Sequence, residues 1–514
     1  MTKKLFNPSI LFGSPLVIIL FFSFIKLFIH FIFNDGYGIF RDELYYVACG
    51  NHLAFGYVDQ PPFVSLVAKI TTLFLGKSLF ALRFFPALAG ASLVFITGLI
   101  IKEISDEKYA LIIGLLAVTF SPVLLGITGI LSMNVFDILF CTLMVYFILL
   151  IIVRNERKYW IWLGIIAGIG LLNKLSPLFI GFGLFIGLLL TVHRRQLLNK
   201  NLWLTVFIAF IIFLPNIIWQ AINDFPTLEF MNNAATYKNA VISPQQFLTA
   251  HFLDLHPNNV ILLISFISIL FSKKFGEYKI FVWIYISILL LFLFTNAKPY
   301  YIAILNPTII AFGSVVFIDF ILKHFKKWVL ITIIIIQFPF FVATMPFALP
   351  VLEVKNYIAY SQFMGITPES GERSELGVLP QHFADRFGWE EMAKKVSDVY
   401  LSLPESERKN VAVFGQNYGE AGAIDFFRDK YPLPHAISGH NNYWLWGYPA
   451  NSNDSVLIVI GSSIEDNSEF FEEVTEAAIH YNAYGMPYEN VSIFICRKPT
   501  MSLKKLWTRI KMYI

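Results

Sequence analysis

The chain has 514 residues, of which 56% are hydrophobic, 17% aromatic and only 14% charged, with a mean hydropathy of +0.64. Soluble domains hold about 45–50% apolar residues, so a soluble enzyme is excluded. A net charge of +4, carried by lysines and arginines in short loops, speaks of membrane topology and not of nucleic acid. The three cysteines, Cys49, Cys141 and Cys496, have no metal-ligand spacing and no disulfide framework.

Apolar stretches recur near 14–33, 81–101, 109–125, 135–153, 159–172, 176–192, 201–218, 258–272, 279–296, 301–322 and 328–346. Most approach the ~20 residues a span needs, which predicts a polytopic α-helical membrane protein with about eleven transmembrane helices. The first stretch follows Lys3 and Lys4 but precedes no small-residue cleavage site, and reads as a retained helix. With the N-terminus cytoplasmic, the short inner loops hold Lys102, Lys108, Arg154, Arg157, Lys158, Arg194, Arg195, Lys273, Lys274, Lys323, Lys326 and Lys327. The far longer outer loops hold only Arg41, Lys69, Lys77, Lys174, Lys238 and Lys298, as the positive-inside rule requires. This predicts a transmembrane domain over 1–346, with outer loops 34–80 and 219–257, and an extracytoplasmic domain over 347–514. The chemistry is expected at the extracytoplasmic face, out of reach of nucleotides.

The first outer loop is where charge becomes dense. Arg41, Asp42 and Glu43 are adjacent, Leu44–Ala48 reads as a short helix, and Asp59 precedes Gln60, Pro61 and Pro62. Two readings stand: a helix cap facing water, or a shaped site in which the acids serve as general base and as metal or phosphate partner. Lys174 and Lys298 lie at outer turns, against the positive-inside bias. Each either snorkels to lipid headgroups or meets an anion. His251, Asp254 and His256 lie ahead of the eighth stretch, where Asp59 would complete a divalent-metal site, although the spacing matches no strong ligand pattern. Hydrogen-bonded interface histidines are the other reading.

Past residue 347 the pattern changes. A helix is predicted from Gly388 to about Ser402, strands at Val411–Phe414, Ser455–Gly461 and Val491–Cys496, and a helix near Glu469–His480. Alternation of this kind predicts an α/β domain with a mainly parallel sheet. The Gly415–Gly419 turn lacks the third glycine of a dinucleotide loop and any following Lys-Ser/Thr, so no nucleotide is expected. His440, Tyr443, Trp444 and Trp446 would either stack on a sugar or dock the domain. Leu503–Ile514, with Lys504, Lys505, Arg509 and Lys511, reads as a basic amphipathic tail on lipid or as a solvated terminus.

Several of these motifs together resemble glycosyltransferase family 39. These are GT-C membrane enzymes that include protein O-mannosyltransferases and lipid A aminoarabinose transferases. The similar segments are Asp42-Glu43 after the first span, Asp59-Gln60-Pro61-Pro62, Ser132–Asp137 opening the fourth span, Asn173-Lys174 closing the fifth, and Asn296–Tyr301. The resemblance implies an inverting transfer of sugar from a polyprenyl-phosphate donor to a lipid, glycan or protein acceptor. In it Asp42 would be the base, with Glu43 orienting it or helping to bind a divalent ion. Lys174 and Lys298, with Arg41 and Tyr301, would hold the donor phosphate, and Asp59, Gln60, Asn134 and Asp137 would line the substrate. Apart from the resemblance, the residues themselves offer Asp59 and His256 as the candidate metal ligands. Two positions depart from the pattern: Gln60 stands where relatives often have Lys, and Asn134 where many have Asp. The rival reading, a transporter or flippase of lipid-linked sugar, would call for internal repeats, and the sequence shows none.

Overall fold

The computed structural model describes residues 14–256, 259–295, 297–368, 372–448 and 456–514. Lys3, Lys4, Asn296 and Ser455, weighed above, lie outside them. The chain divides into two compact units. One comprises Met1–Gly36, Phe80–Ile217 and Val241–Leu352; the other comprises Tyr37–Leu79, Ile218–Ala240 and Glu353–Ile514. The loop after the first span thus folds together with the C-terminal residues.

In the first unit all eleven apolar stretches are helical, yet fewer are long enough to cross a membrane. Among the described residues seven helices qualify: Pro15–Phe33, Leu79–Ile104, Met133–Arg154, Lys200–Ile222, Gly276–Phe294, Pro299–His324 and Trp328–Phe347. Two bent pairs raise the number to nine. Lys108–Phe120 meets Pro122–Thr128 at 55°, and Ser176–Leu189 meets Val192–Leu198 at 118°. By length alone that makes seven to nine spans, against the about eleven expected with the shorter apolar helices included. Pro122 has no N–H and its ring clashes with the preceding turn, so that helix breaks. Arg157–Leu171 has 15 residues, about 22 Å of helix against a hydrocarbon core of about 30 Å. Val260–Ile267 has only 8 residues before it tightens into a 3-10 turn.

Pro299–His324 is enclosed by its neighbours: 89% of its most apolar window is buried, against 17% for the more apolar Trp328–Phe347 and Lys200–Ile222, whose side chains face outward. The first span also carries Lys26 and His30, both fully buried. The Lys26 ammonium donates to the Thr119 carbonyl at 3.3 Å, next to the break at Ser121–Pro122, and His30 Nε2 lies 2.7 Å from the Thr128 hydroxyl. A broken helix leaves carbonyls that only a neighbour can satisfy in the absence of water. Lys26 does this from the adjacent helix, while His30 holds the Thr128 hydroxyl, which itself donates to the Leu124 carbonyl.

The second unit is built on five strands: β1 (Val411–Gly415), β2 (Ala436–Ser438), β3 (Val456–Ile460), β4 (Phe471–Ile479) and β5 (Ser492–Pro499). Their order is β2-β1-β3-β5-β4. β1 runs parallel to β2 and β3, whereas β5 is antiparallel to both β3 and β4. The sheet is therefore mixed, and the predicted helix near 469–480 is instead edge strand β4. Its register slips at a bulge between Glu476 and Ala478. Phe471, Val474 and Ala478, the positions drawn inward, fall at sequence spacings of three and four, which mimics a helix. Exposed Glu472, Glu473 and Glu476 line this edge and discourage further strand pairing.

The Trp389–Ser402 helix forms as expected, entered through Gly388 at φ +93°. The basic tail is corrected. Leu503, Leu506 and Trp507 are buried against Ala412, Leu457, Val459, Phe494 and Cys496, and the Trp507 indole donates to the Trp444 carbonyl at 3.1 Å. Burying such side chains is worth roughly 1.5–3 kcal/mol each, so this segment closes the core of the sheet.

Candidate functional site

In the first unit the polar side chains gather where helices begin. Arg157–Leu171 ends at Leu172, and Pro177 helps start Ser176–Leu189, which leaves a turn of few residues. The turn is tied down by the Asn173 amide, which donates to the Met133 carbonyl at 2.8 Å. Lys174 is thereby set against the first turns of Met133–Arg154. Its ammonium donates to Asn134 Oδ1 at 2.8 Å and lies 3.6 Å from Asp137 Oδ2. The Ser176 hydroxyl donates to the same Asp137 oxygen at 2.7 Å. The Tyr301 ring faces the ammonium at 4.4 Å and the Tyr300 ring at 5.9 Å. Lys298 stands half-buried at the head of the Pro299–Leu305 turn that carries both tyrosines.

A cation held in this way is ready for an anion. Lys174 keeps 19% of its side chain exposed while Asp137 keeps 2%. The amide and the ring faces orient the ammonium without neutralising it, and the single nearby carboxylate is at the long end of an ion pair. In so dry a setting a phosphate oxygen gains far more from a fixed cation than it would in water. Of the expected residues, Lys174, Asn134, Asp137 and Tyr301 are brought together.

In the second unit the helix Arg41–Asn51 separates the two acids. Glu43, fully buried, accepts the Phe40 N–H at 2.9 Å and so satisfies one of the orphan donors at the helix start. Its carboxylate is turned into the structure. Asp42, one residue and about 100° away on the helix, keeps 31% of its side chain exposed and accepts the Tyr418 hydroxyl at 2.9 Å. Arg41 is enclosed by acids: Asp42 at 3.9 Å, Glu372 at 3.8 Å and Asp385 at 3.8 Å. It also donates to the Tyr488 hydroxyl. With three carboxylates around it, Arg41 organises this cluster, where a phosphate-binding role had been expected.

Asp59 accepts the Tyr45 hydroxyl at 2.8 Å. Burial pushes its carboxyl up to about 6, partly opposed by that hydroxyl. Asp385 is pushed up to about 6 by the same cause, opposed by Arg41. Gln60 is buried, its side-chain amide directed at the Ser65 hydroxyl at 3.3 Å and its backbone carbonyl accepting the Tyr57 N–H at 2.9 Å, so it shapes its own loop. The cluster includes residues that carried no signal in the sequence: Tyr45, Lys238, Glu372, Asp385 and Tyr488. Tyr418 did have a signal, since it sits inside the Gly415–Gly419 turn.

The N–H groups of that turn are taken within the protein: Gln416 N–H by Glu420, Tyr418 N–H by His440 Nδ1, and Gly419 and Glu420 N–H by Asn417 Oδ1. Behind it, the Asn417 amide donates to Glu420 and Glu489 at 3.1 Å each. Burial pushes the Glu489 carboxyl up to about 7 and raises Glu420 as well. The aromatic loop is also filled from within: Tyr443 donates to Asp425 at 3.0 Å, Trp444 to the Trp507 carbonyl at 2.8 Å, and Trp446 stacks on His52.

The expected metal ligands are placed otherwise. His251 is buried with Nε2 3.0 Å from the Tyr285 hydroxyl. His256 adopts φ +75° and stacks on Phe341 at 4.8 Å. Among the described residues no three His, Cys, Asp or Glu side chains gather as a metal site requires.

Residues 59–219 match the family model described as dolichyl-phosphate-mannose-protein mannosyltransferase. The match takes in Asp59, Asn134, Asp137 and Lys174. No curated protein matches the sequence. Among solved structures the chain is similar to ArnT from Cupriavidus metallidurans in the apo state, with a TM-score of 0.64 at 13% identity, covering 93% of this chain and 97% of that one. The same protein bound to undecaprenyl phosphate gives a TM-score of 0.59 at 14% identity over the same shares. The fold is thus the ArnT-like GT-C fold, in a multi-pass membrane protein with a small C-terminal sheet domain.

Proposed function

We propose that this chain is a GT-C glycosyltransferase that moves a sugar from a polyprenyl-phosphate donor to an acceptor hydroxyl at the outer face of a bacterial cytoplasmic membrane, with inversion. The observation that carries the reading is the desolvated Lys174 ammonium, oriented by Asn134, Asp137 and Tyr301 inside the family-matched segment. It belongs to a chain whose fold is similar end to end to a protein solved with undecaprenyl phosphate.

In the mechanism, the acceptor oxygen attacks the anomeric carbon while its proton passes to Asp42. The bond from that carbon to the phosphate oxygen breaks, and polyprenyl phosphate leaves with the electron pair. Lys174 and Lys298 stabilise the negative charge that develops on the departing phosphate, which is where fixed cations act most strongly. Arg41 holds the acids in place, and Glu43 fixes the helix start that presents Asp42. The acceptor is a lipid, a glycan or a protein of the envelope.

The test uses the purified full-length protein, a panel of radiolabelled polyprenyl-phosphate hexoses and pentoses, and an envelope extract as acceptor. Label transfer by the wild type, reduced about 10²-fold or more in Asp42→Asn, is the expected result. Transfer from none of the donors, or normal turnover by Asp42→Asn, overturns the reading.

A further inference from the structure

We infer that Tyr418 is a positioning residue for the base, and that the α/β part of the chain completes the catalytic centre through it. The inference rests on the assignment of Asp42 above and concerns what makes that residue competent.

Asp42 and Tyr418 are 376 positions apart in sequence, yet the Tyr418 hydroxyl donates to Asp42 Oδ1 at 2.9 Å. The tyrosine is held on every side. Its backbone N–H donates to His440 Nδ1 at 3.3 Å, while His440 Nε2 lies 2.7 Å from the Ile514 carbonyl. An imidazole that accepts on one nitrogen and donates from the other is neutral, and burial pushes His440 down to about 3. The Tyr418 ring packs on Tyr45 at 4.7 Å, with the Arg41 guanidinium 5.4 Å and the Lys238 ammonium 5.9 Å from its centre.

The two glycines that follow explain the approach. A Cβ on Gly419 would lie 2.7 Å from Arg41 Cγ and 2.9 Å from Trp389, and one on Gly422 would lie 3.1 Å from Leu44 Cβ. The helix Tyr418–Phe427 therefore lies close against Arg41–Asn51 only because these positions have no side chain. The Gly-rich segment, which is not a phosphate loop, is the seat for the helix that carries the base.

The geometry gives Tyr418 a specific task. By binding Oδ1 it fixes the rotation of the carboxylate and leaves Oδ2 for the acceptor hydroxyl. It also holds Asp42 away from a closer pairing with Arg41, now 3.9 Å distant. Phenylalanine fills the same space without the hydroxyl. A hydrogen bond to a charged group is worth about 1.5–3 kcal/mol, so its loss should lower turnover about 10- to 100-fold.

The experiment compares wild type, Tyr418→Phe, Asp42→Asn and the double variant, all full-length, in the label-transfer assay above. If Tyr418 acts through Asp42, Tyr418→Phe lowers kcat about 10-fold or more with donor KM unchanged, and the double variant is no slower than Asp42→Asn alone, since residues acting as one unit are not additive. Wild-type kcat in Tyr418→Phe overturns the inference. So does a double variant that is slower than Asp42→Asn by the factor seen in the single change, which marks an independent structural effect. Normal turnover in Asp42→Asn removes the base itself, and is told apart because Asp42 then fails alone.

Discussion

Lys174→Met offers the sharpest probe of the phosphate site because it has two separable consequences. Methionine keeps the length and apolar stem of lysine but removes the ammonium that bonds Asn134 at 2.8 Å and faces Asp137 at 3.6 Å. A charge-assisted bond to a phosphate oxygen is worth about 1.5–3 kcal/mol, so polyprenyl phosphate should bind about 10- to 100-fold more weakly. The second consequence falls on Asp137, whose side chain is 2% exposed and would keep only the Ser176 hydroxyl and the weakly donating Cys141 thiol. Leaving a buried carboxylate without its cation costs about 3–5 kcal/mol, so the variant should also melt earlier. Adding Asp137→Asn restores most of the lost melting temperature but none of the lost affinity, because no cation returns. Titration of the purified proteins with polyprenyl phosphate, alongside thermal unfolding, reads both quantities. Equal affinity in wild type and Lys174→Met would refute the site, whatever the melting temperatures.

Other outcomes follow from the same geometry. Glu489 has its carboxyl raised to about 7 by burial, above the ordinary glutamate value near 4.3, so the folded state binds the extra proton between those limits. Stability is therefore highest below that window and falls as pH rises through it; melting curves from pH 4.5 to 7.5 should fall less steeply in Glu489→Gln, and an unchanged slope counts against this assignment. Trp507→Ala removes a buried indole from the sheet core and should destabilise the second unit by about 3–5 kcal/mol; limited proteolysis that cuts no faster than in wild type would return the tail to the surface. Cysteines introduced at Asn233 should react with an impermeant maleimide in intact cells, whereas those at Gln196 and Lys326 should not, the native Cys49, Cys141 and Cys496 being buried. Labelling at Lys326 would invert the proposed orientation.

What the sequence reveals about this molecule depends on how local the signal is. Apolar runs are local, so the apolar helices of the first unit were visible, whereas Pro244–Asp254, inside a predicted loop, was not. Whether a run crosses a membrane in one piece was not, because Pro122 and the short Arg157–Leu171 helix decide that through geometry and not through hydropathy. The strands with uninterrupted apolar cores, β1 and β3, were equally plain, while the three- and four-residue spacing of Phe471, Val474 and Ala478 disguised β4 as a helix. At the site, the acids and lysines stood out because charge is rare in such a chain. Their differences did not: Glu43 turned inward and Asp42 left open is a matter of which helix position each occupies. Tyr418, Asp385 and Glu372 reach Asp42 or Arg41 across hundreds of residues, and no window of sequence carries that information.

The second unit is stitched from three stretches of chain, Tyr37–Leu79, Ile218–Ala240 and Glu353–Ile514, and this sets a clock on its formation. Asp42 leaves the ribosome early, but its hydrogen-bond partner follows 376 residues later. At about 5–20 residues per second of synthesis, the proposed base waits roughly 20–75 s before anything can hold it. Contacts so distant in sequence form slowly, since a long loop must close before they repay its lost entropy. During that interval the membrane helices can already insert and pack among themselves, while the acids of the first loop stand unassembled. A half-made chain would therefore hold Lys174 in place before the proposed base is ordered, and assembly of the second unit ends with the seating of one tyrosine.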